Sequence, residues 1–225
     1  MRDAALRGDK DRLLTPLAER WFARVHPNWI SVVALGFGLA CAVAAWQQLY
    51  LAAIFLWLIN RVLDGLDGVV ARVHDKQSDF GGYLDLILDF VVYLAVPIAI
   101  AAAQPSPAML WATLALFSAF VLNLLSWSTL AAILEKRMTG ASDRLTTIEM
   151  PGGLIEGAET IIFYTIFLLF PTYAAILFAL MAALVMVTAV QRVVWAARHL
   201  HEPPATSGVD DPDVSTSPVV VSVHP

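Results

Sequence analysis

The chain has 225 residues, 59% of them hydrophobic and 15% charged, with a mean hydropathy of +0.70 and a formal net charge of −5. A soluble domain is about 45–50% apolar and about 25% charged, so this composition excludes one and predicts an all-α integral membrane protein. Acidic residues collect in the C-terminal stretch (Glu202, Asp210, Asp211, Asp213) and in one internal cluster; the negative balance therefore says little about partners, and no nucleic-acid partner is expected.

From the N-terminus, Thr15-Pro16 reads as an N-cap followed by proline at the first helical position. Leu17, Trp21 and Val25 recur at helical spacing opposite Glu19, Arg20 and Arg24, which predicts a short amphipathic helix within a cytoplasmic segment, residues 1–27. It lies either in the membrane interface or against the protein's own cytoplasmic face. The first apolar run begins near Trp29 and is long enough to span, so it is not read as a cleavable signal.

Six transmembrane helices are predicted at roughly 28–48, 50–73, 78–103, 108–134, 153–170 and 172–198, each near the ~20 residues a bilayer requires. Together they form a membrane domain over residues 28–200. Cys41 is the single cysteine, which rules out an intrachain disulfide and reads as a small apolar helix residue. From Glu202 onward the chain is rich in Pro, Ser, Thr, Asp and Val without helical period, so residues 201–225 are expected to form a disordered cytoplasmic tail.

Arg2, Arg7, Lys10, Arg12, Arg20 and Arg24 precede the first span, and Arg72 and Lys76 flank the loop between spans 2 and 3. Lys136, Arg137 and Arg144 lie between spans 4 and 5, and Arg192 and Arg198 close span 6, whereas the three opposite loops contain no Lys or Arg. The positive-inside rule places both termini and the 2–3 and 4–5 loops in the cytoplasm. A bacterial inner membrane fits this multi-pass layout.

Four aspartates, Asp64, Asp67, Asp85 and Asp89, lie inside spans 2 and 3. A carboxylate at mid-membrane depth costs roughly 2.5–3.5 kcal/mol on insertion scales, so four need compensation. Asp64 and Asp67 are i, i+3 and Asp85 and Asp89 are i, i+4, each pair on one helix face. The short loop makes the two helices antiparallel and able to bring the pairs together, with Gly68, Ala71 and Gly81 small at the same level so that helices or a ligand approach closely. Hard oxygen donors suit Mg²⁺ or Mn²⁺, and two such ions could clamp a phosphoryl centre, with Arg72 placed to hold phosphate. Buried ion pairs, such as Asp64 with Arg61, are the bland alternative, but two arginines do not balance four aspartates. A proton or cation pathway explains intramembrane aspartates equally well in kind, but not the recurrence of Gly, Ala and Arg beside them.

The run Asp64-xx-Asp67-Gly68-xx-Ala71-Arg72-x8-Gly81-xxx-Asp85-xxx-Asp89 resembles in full the signature of the CDP-alcohol phosphatidyltransferase family. Eight fixed positions would match by chance on the order of once in 10⁸ over such a chain, at about one in twenty per residue type. The resemblance covers roughly residues 10–200 and implies a membrane enzyme that moves a substituted phosphate from a CDP-linked donor to an alcohol, releasing CMP. By similarity, Asp64, Asp67 and Asp85 would ligate two Mg²⁺ or Mn²⁺ ions. Asp89 would share the metal site and act as general base on the incoming hydroxyl. Gly68, Ala71, Arg72 and Gly81 would form the CDP pocket. Pro27-Asn28-Trp29-Ile30-Ser31 resembles a family segment at the nucleotide end, which adds Asn28 and Ser31; alternatively Asn28 simply N-caps the first span. Homodimerisation is implied by the resemblance alone.

The expected donor is CDP-diacylglycerol and the acceptor a small alcohol. A CDP-amino alcohol donating to diacylglycerol is the alternative in the same fold, and an ion or proton transporter the alternative outside it. Lys136, Arg137, Arg144 and Arg192 are candidates for binding a phosphorylated acceptor, although topology retention alone explains basic residues there. Glu156 and Glu159, i, i+3 at the start of span 5, suit instead a polyol or a cationic amino alcohol, or are the acidic residues any helix favours in its first turn.

Overall fold

The computed structural model describes residues 14–20, 22, 25–139 and 152–200, and every regular element among them is helical. A short stretch, α1, covers residues 14–20. It is followed by α2 (Pro27–Trp46), α3 (Tyr50–Val73), α4 (Asp79–Ala103), α5 (Pro107–Thr139), α6 (Gly157–Leu169) and α7 (Ala174–His199), with a 3₁₀ turn at Pro171–Tyr173 leading into α7. Helices α2 to α7 fall on the six expected segments.

Four segments are long and apolar enough to cross a membrane: Pro27–Trp46, Asp79–Ala103, Pro107–Arg137 and Pro171–His199. The other two expected spans fall short for different reasons. With 24 residues, α3 has the length, about 36 Å at ~1.5 Å per residue, but it carries Arg61, Asp64, Asp67 and Arg72 from its midpoint onward. With 13 residues, α6 is about 20 Å long, below the ~30 Å hydrocarbon thickness. Its expected first turn is not helical: the amides of Leu154 and Ile155 donate to Thr188 Oγ1 on α7 at 3.1 and 3.0 Å, and the helix begins only at a capping box formed by Glu156 and Glu159.

Helix α2 is the organising element, packed along both α3 and α4, while α5 packs on α7 and α3 on α6. The α2 face turned inward is built of small residues, Ala34, Gly38, Cys41, Ala42 and Ala45, which lets backbones approach where lipid removes any hydrophobic drive between helices. A Cβ at Gly38 would run into the branched methyls of Val92 on α4 and come within 3.1 Å of Asn60 Nδ2 on α3. Val92 is 1% exposed and stiff at χ1, so it has nowhere to go. Gly38→Ala is therefore expected to destabilise the detergent-solubilised protein by about 1–3 kcal/mol, the range for overpacking, read as a lowered thermal midpoint. An unchanged midpoint would show that α2 and α4 separate freely. Large aromatics (Trp57, Tyr164, Phe167, Phe178) fill the interior, while Leu51, Trp111 and Ile176 point outward at 86, 71 and 69% exposure. An apolar exterior of this kind faces lipid.

Two N-terminal details differ from expectation. Thr15 lies inside α1 and not at its cap. The inward face of this segment is Leu14, Ala18, Phe22 and Val25, packed on Ile30, Leu66, Val69 and Val70, while Leu17 is 41% exposed. Trp21, Arg24 and the expected tail at 201–225 lie outside the described residues.

Candidate active site

The two aspartate pairs sit where the sequence spacing puts them, in the second half of α3 and the first half of α4. They do not face one another across a direct helix contact, however. Helices α3 and α4 make little backbone contact, because α2 is wedged between them. The wedge leaves two adjoining cavities. The larger, about 240 Å³, is an open cleft lined by Asn28, Ser31, Asp67, Gly68, Ala71, Arg72, Lys76, Gln77, Ser78, Gly81 and Asp85, among others. The smaller, about 10 Å³, is enclosed by Ser31, Asn60, Asp64, Asp85 and Asp89 with Ala34, Leu35, Leu88 and Val92. Ser31 and Asp85 line both. The structure thus brings all four aspartates and the predicted Asn28, Ser31, Gly68, Ala71, Arg72 and Gly81 to one locality.

Local sequence explains how each is placed. Helix α4 starts at Ser78, whose Oγ accepts from Gly81 N at 3.0 Å as an N-cap. A Cβ at Gly81 would lie 3.1 Å from Ser78 Oγ and 3.3 Å from Asn28 Oδ1, and one at Gly68 would lie 3.3 Å from Arg72 Nη1. Both glycines therefore leave room for polar side chains along the cleft, Gly81 for Asn28 on α2 and Gly68 for Arg72 on its own helix. Asn28 does not cap α2: His26 does, its Nδ1 accepting from Asn28 N at 3.3 Å, with Pro27 at the first helical position. That leaves the Asn28 side chain on the cleft wall.

Ser31 Oγ donates to Asp67 Oδ2 at 2.5 Å, and Asp67 is only 5% exposed. Asp89 is gripped by Arg61, with Nη2 to Oδ1 at 2.7 Å and Nη1 to Oδ2 at 3.3 Å, while Asp64 lies 3.6 Å from Nη1. The ion-pair alternative is thus partly realised, but Arg61 brings one positive charge to four carboxylates. Among the described residues no group of three or more His, Cys, Asp or Glu side chains is arranged to hold a metal ion. The geometry supplies a reason: Asp67 is turned to Ser31 and Asp89 to Arg61. In number, charge and hardness the oxygen donors still suit a divalent ion, and the small chamber that Asp64, Asp85 and Asp89 share has room for an ion and not for an organic group.

The expected acceptor residues are scattered. Glu156 and Glu159 form the α6 capping box: Gly153 N donates to Glu156 Oε1 at 2.7 Å and Glu156 N to Glu159 Oε2 at 3.2 Å. Arg137 donates to the Leu200 carbonyl at 2.7 Å and so ties α5 to the end of α7. Lys136 is exposed, and Arg144 lies outside the described residues. Arg192 is buried at 9% exposure and donates to Asn123 Oδ1 at 2.6 Å. None of the five described residues lines either aspartate cavity.

Three groups escaped the sequence reading. Lys76, Gln77 and Ser78 line the cleft from the gap between the two halves of the motif, and their position between paired aspartates was the available signal. Asn60 lines the small chamber and donates to the Ala34 carbonyl at 2.7 Å. Arg61 was matched to Asp64 by its i, i+3 spacing, whereas its closer partner is Asp89 on α4, a contact local periodicity does not reveal.

Comparison with known proteins bears on the segment that carries these residues. The CDP-alcohol phosphatidyltransferase family profile matches residues 24–197, which span α2 to α7 and both aspartate pairs. The chain belongs to the CDP-alcohol phosphatidyltransferase family. Inner membrane protein YnjF of Escherichia coli (strain K12) is 34% identical over 170 residues, covering 75% of this chain and 82% of that protein. The bifunctional IPC transferase and DIPP synthases of Thermococcus kodakarensis and Archaeoglobus fulgidus are 38% and 36% identical over 78 and 107 residues, or 35% and 47% of this chain. The chain spans only 18% and 21% of the length of those two proteins. Four apolar helices and an inner-membrane homologue make this member of the family an integral membrane protein.

Proposed function

We propose that the protein moves the phosphatidyl group from CDP-diacylglycerol to a small alcohol by in-line attack, releasing CMP, in a six-span fold with both termini and the site at the cytoplasmic face. The observation that carries this reading is that Asp85 and Ser31 line both cavities: a cleft sized for a head group adjoins a chamber of carboxylates. In the cleft, Asn28, Arg72 and the room left by Gly68 and Gly81 suit the CDP moiety, with Arg72 on the pyrophosphate. Asp64, Asp67 and Asp85 would hold two Mg²⁺ or Mn²⁺ ions, which when bound neutralise charge on the reacting phosphoryl group. Asp89 takes the proton from the acceptor hydroxyl, because an alcohol is a poor nucleophile towards an anionic diester. Acceptor recognition is assigned to Arg192, buried beside Asn123 where α5 packs on α7, outside the lining of the two aspartate cavities. The working unit is a homodimer.

Membranes containing the protein, given Mn²⁺ or Mg²⁺ and labelled CDP-diacylglycerol, are expected to release CMP only when an acceptor is supplied. Serine, glycerol 3-phosphate, inositol, inositol phosphate, choline and ethanolamine form the panel, with the lipid product identified. Turnover of CDP-choline or CDP-ethanolamine with diacylglycerol, and none of CDP-diacylglycerol, reverses donor and acceptor. No turnover of either donor together with Asp64-dependent ion flux would replace the reading by a transporter.

A further inference from the structure

Arg61 is an arginine at membrane depth that the family motif does not include, and its side chain is 6% exposed. It is held on every side. Nε donates to Asn60 Oδ1 at 2.8 Å and Nη1 to Tyr93 Oη at 3.0 Å. The Trp57 and Tyr93 rings lie 4.8 and 5.3 Å from its guanidinium carbon. A planar fork clamped between aromatic faces and two polar anchors has little rotameric freedom left.

Its contacts with the aspartates are unequal. Asp89 receives both arms of the fork, at 2.7 and 3.3 Å, and Asp64 a single contact at 3.6 Å. A two-armed contact sets the plane of the carboxylate as well as its position, which a point charge does not. Because α3 and α4 make little backbone contact, this pair is a direct tie between the Asp89 carboxylate and the helix that carries Asp64 and Asp67. Asp89 also lies within side-chain hydrogen-bond reach of Asp64 and of Tyr93, so the fork and its Tyr93 anchor act on one carboxylate together.

We infer that Arg61 is the positioning residue for Asp89: it holds the carboxylate plane fixed across the α3–α4 gap so that the carboxylate meets the acceptor hydroxyl. This rests on the reading of Asp89 as general base. A base must sit within hydrogen-bond reach of the proton it takes, and misplacement by about 1 Å costs on the order of 10²-fold in rate. A purely structural buried pair, by contrast, changes stability without a selective effect on turnover.

The test is Arg61→Lys, which keeps the charge and loses the fork, compared with wild type, Asp89→Asn and the double variant in purified, monodisperse enzyme. Arg61→Lys is expected to lower kcat about 10–100-fold while KM for CDP-diacylglycerol and Mn²⁺ affinity, measured by direct titration, stay within about threefold. In the Asp89→Asn background the same substitution should cost nothing further, because it acts through the missing carboxylate. Equal losses in both backgrounds, or an Mn²⁺ affinity that falls along with kcat, would overturn the assignment. Should Arg61→Lys fail to fold, Tyr93→Phe removes one anchor and is expected to give a smaller kcat-selective loss, about 3–10-fold, again absent without Asp89. Tyr93→Phe with unchanged kcat then overturns it. A wild type that releases no CMP with any acceptor identifies the proposed function as what failed, and the inference falls with it.

Discussion

Asp89→Asn is expected to keep metal and CDP-lipid binding and to lose transfer by about 10²–10⁴-fold, the usual worth of a positioned general base. The substitution preserves shape, and Asn Oδ1 can still accept from Arg61 Nη2, which now lies 2.7 Å from Asp89 Oδ1. Asp64, Asp67 and Asp85 retain their charges, so the three principal ligands assigned to the metals are untouched, and Asp89 keeps one oxygen for its share of the site. What disappears is the one group that can take a proton from the hydroxyl. Equilibrium Mn²⁺ titration, CDP-diacylglycerol binding and CMP release measured on the same preparation separate these properties. Asp64→Asn should behave in the opposite way and lose the metal itself, since Asp64 has only a 3.6 Å contact with Arg61 and faces the small chamber. Equal Mn²⁺ affinity in wild type and Asp64→Asn would sink this division of labour.

The helices were legible because each is a long apolar run interrupted by polar turns, and the aspartates because four carboxylates in such runs have few bland explanations. Local spacing also gave the two faces correctly. It could not show what stands between them. Nothing in the periodicity of α3 or α4 indicates that α2 is wedged in the gap; the signal lay in α2 itself, in the run of Ala34, Gly38, Cys41, Ala42 and Ala45 that permits close approach on two sides. Arg61 pairs with Asp64 as its spacing suggests, but its closer partner escaped for the same reason, since i, i+3 spacing reveals partners on one helix and Asp89 is on another. The α1 face was read one residue out of phase, because Ala18, too small to register in a hydrophobic pattern, is the fully buried residue there. The start of α6 was placed too early, since a Thr188 hydroxyl on α7 takes the two amides that a first turn would have contained.

Asp85→Asn should be the most damaging single change to metal binding. Asp85 is the one aspartate that lines both the head-group cleft and the small chamber; Asp67 lines the cleft, and Asp64 and Asp89 line the chamber. With two divalent ions bound, the carboxylate at the junction is the one able to serve both, and one such shared ligand withdraws charge from two positions when it is lost. Removing an outer partner of a metal ligand typically costs about 10–100-fold in affinity, so loss of this carboxylate should exceed ~100-fold and exceed the effect of Asp64→Asn. Transfer should fall with it, in contrast to Asp89→Asn, where binding survives. Asp85→Glu should not restore activity, because one more methylene displaces the carboxylate from the junction. An Mn²⁺ titration that shows Asp85→Asn losing a single ion while the other binds as in wild type would demonstrate that the two cavities are served by separate carboxylates.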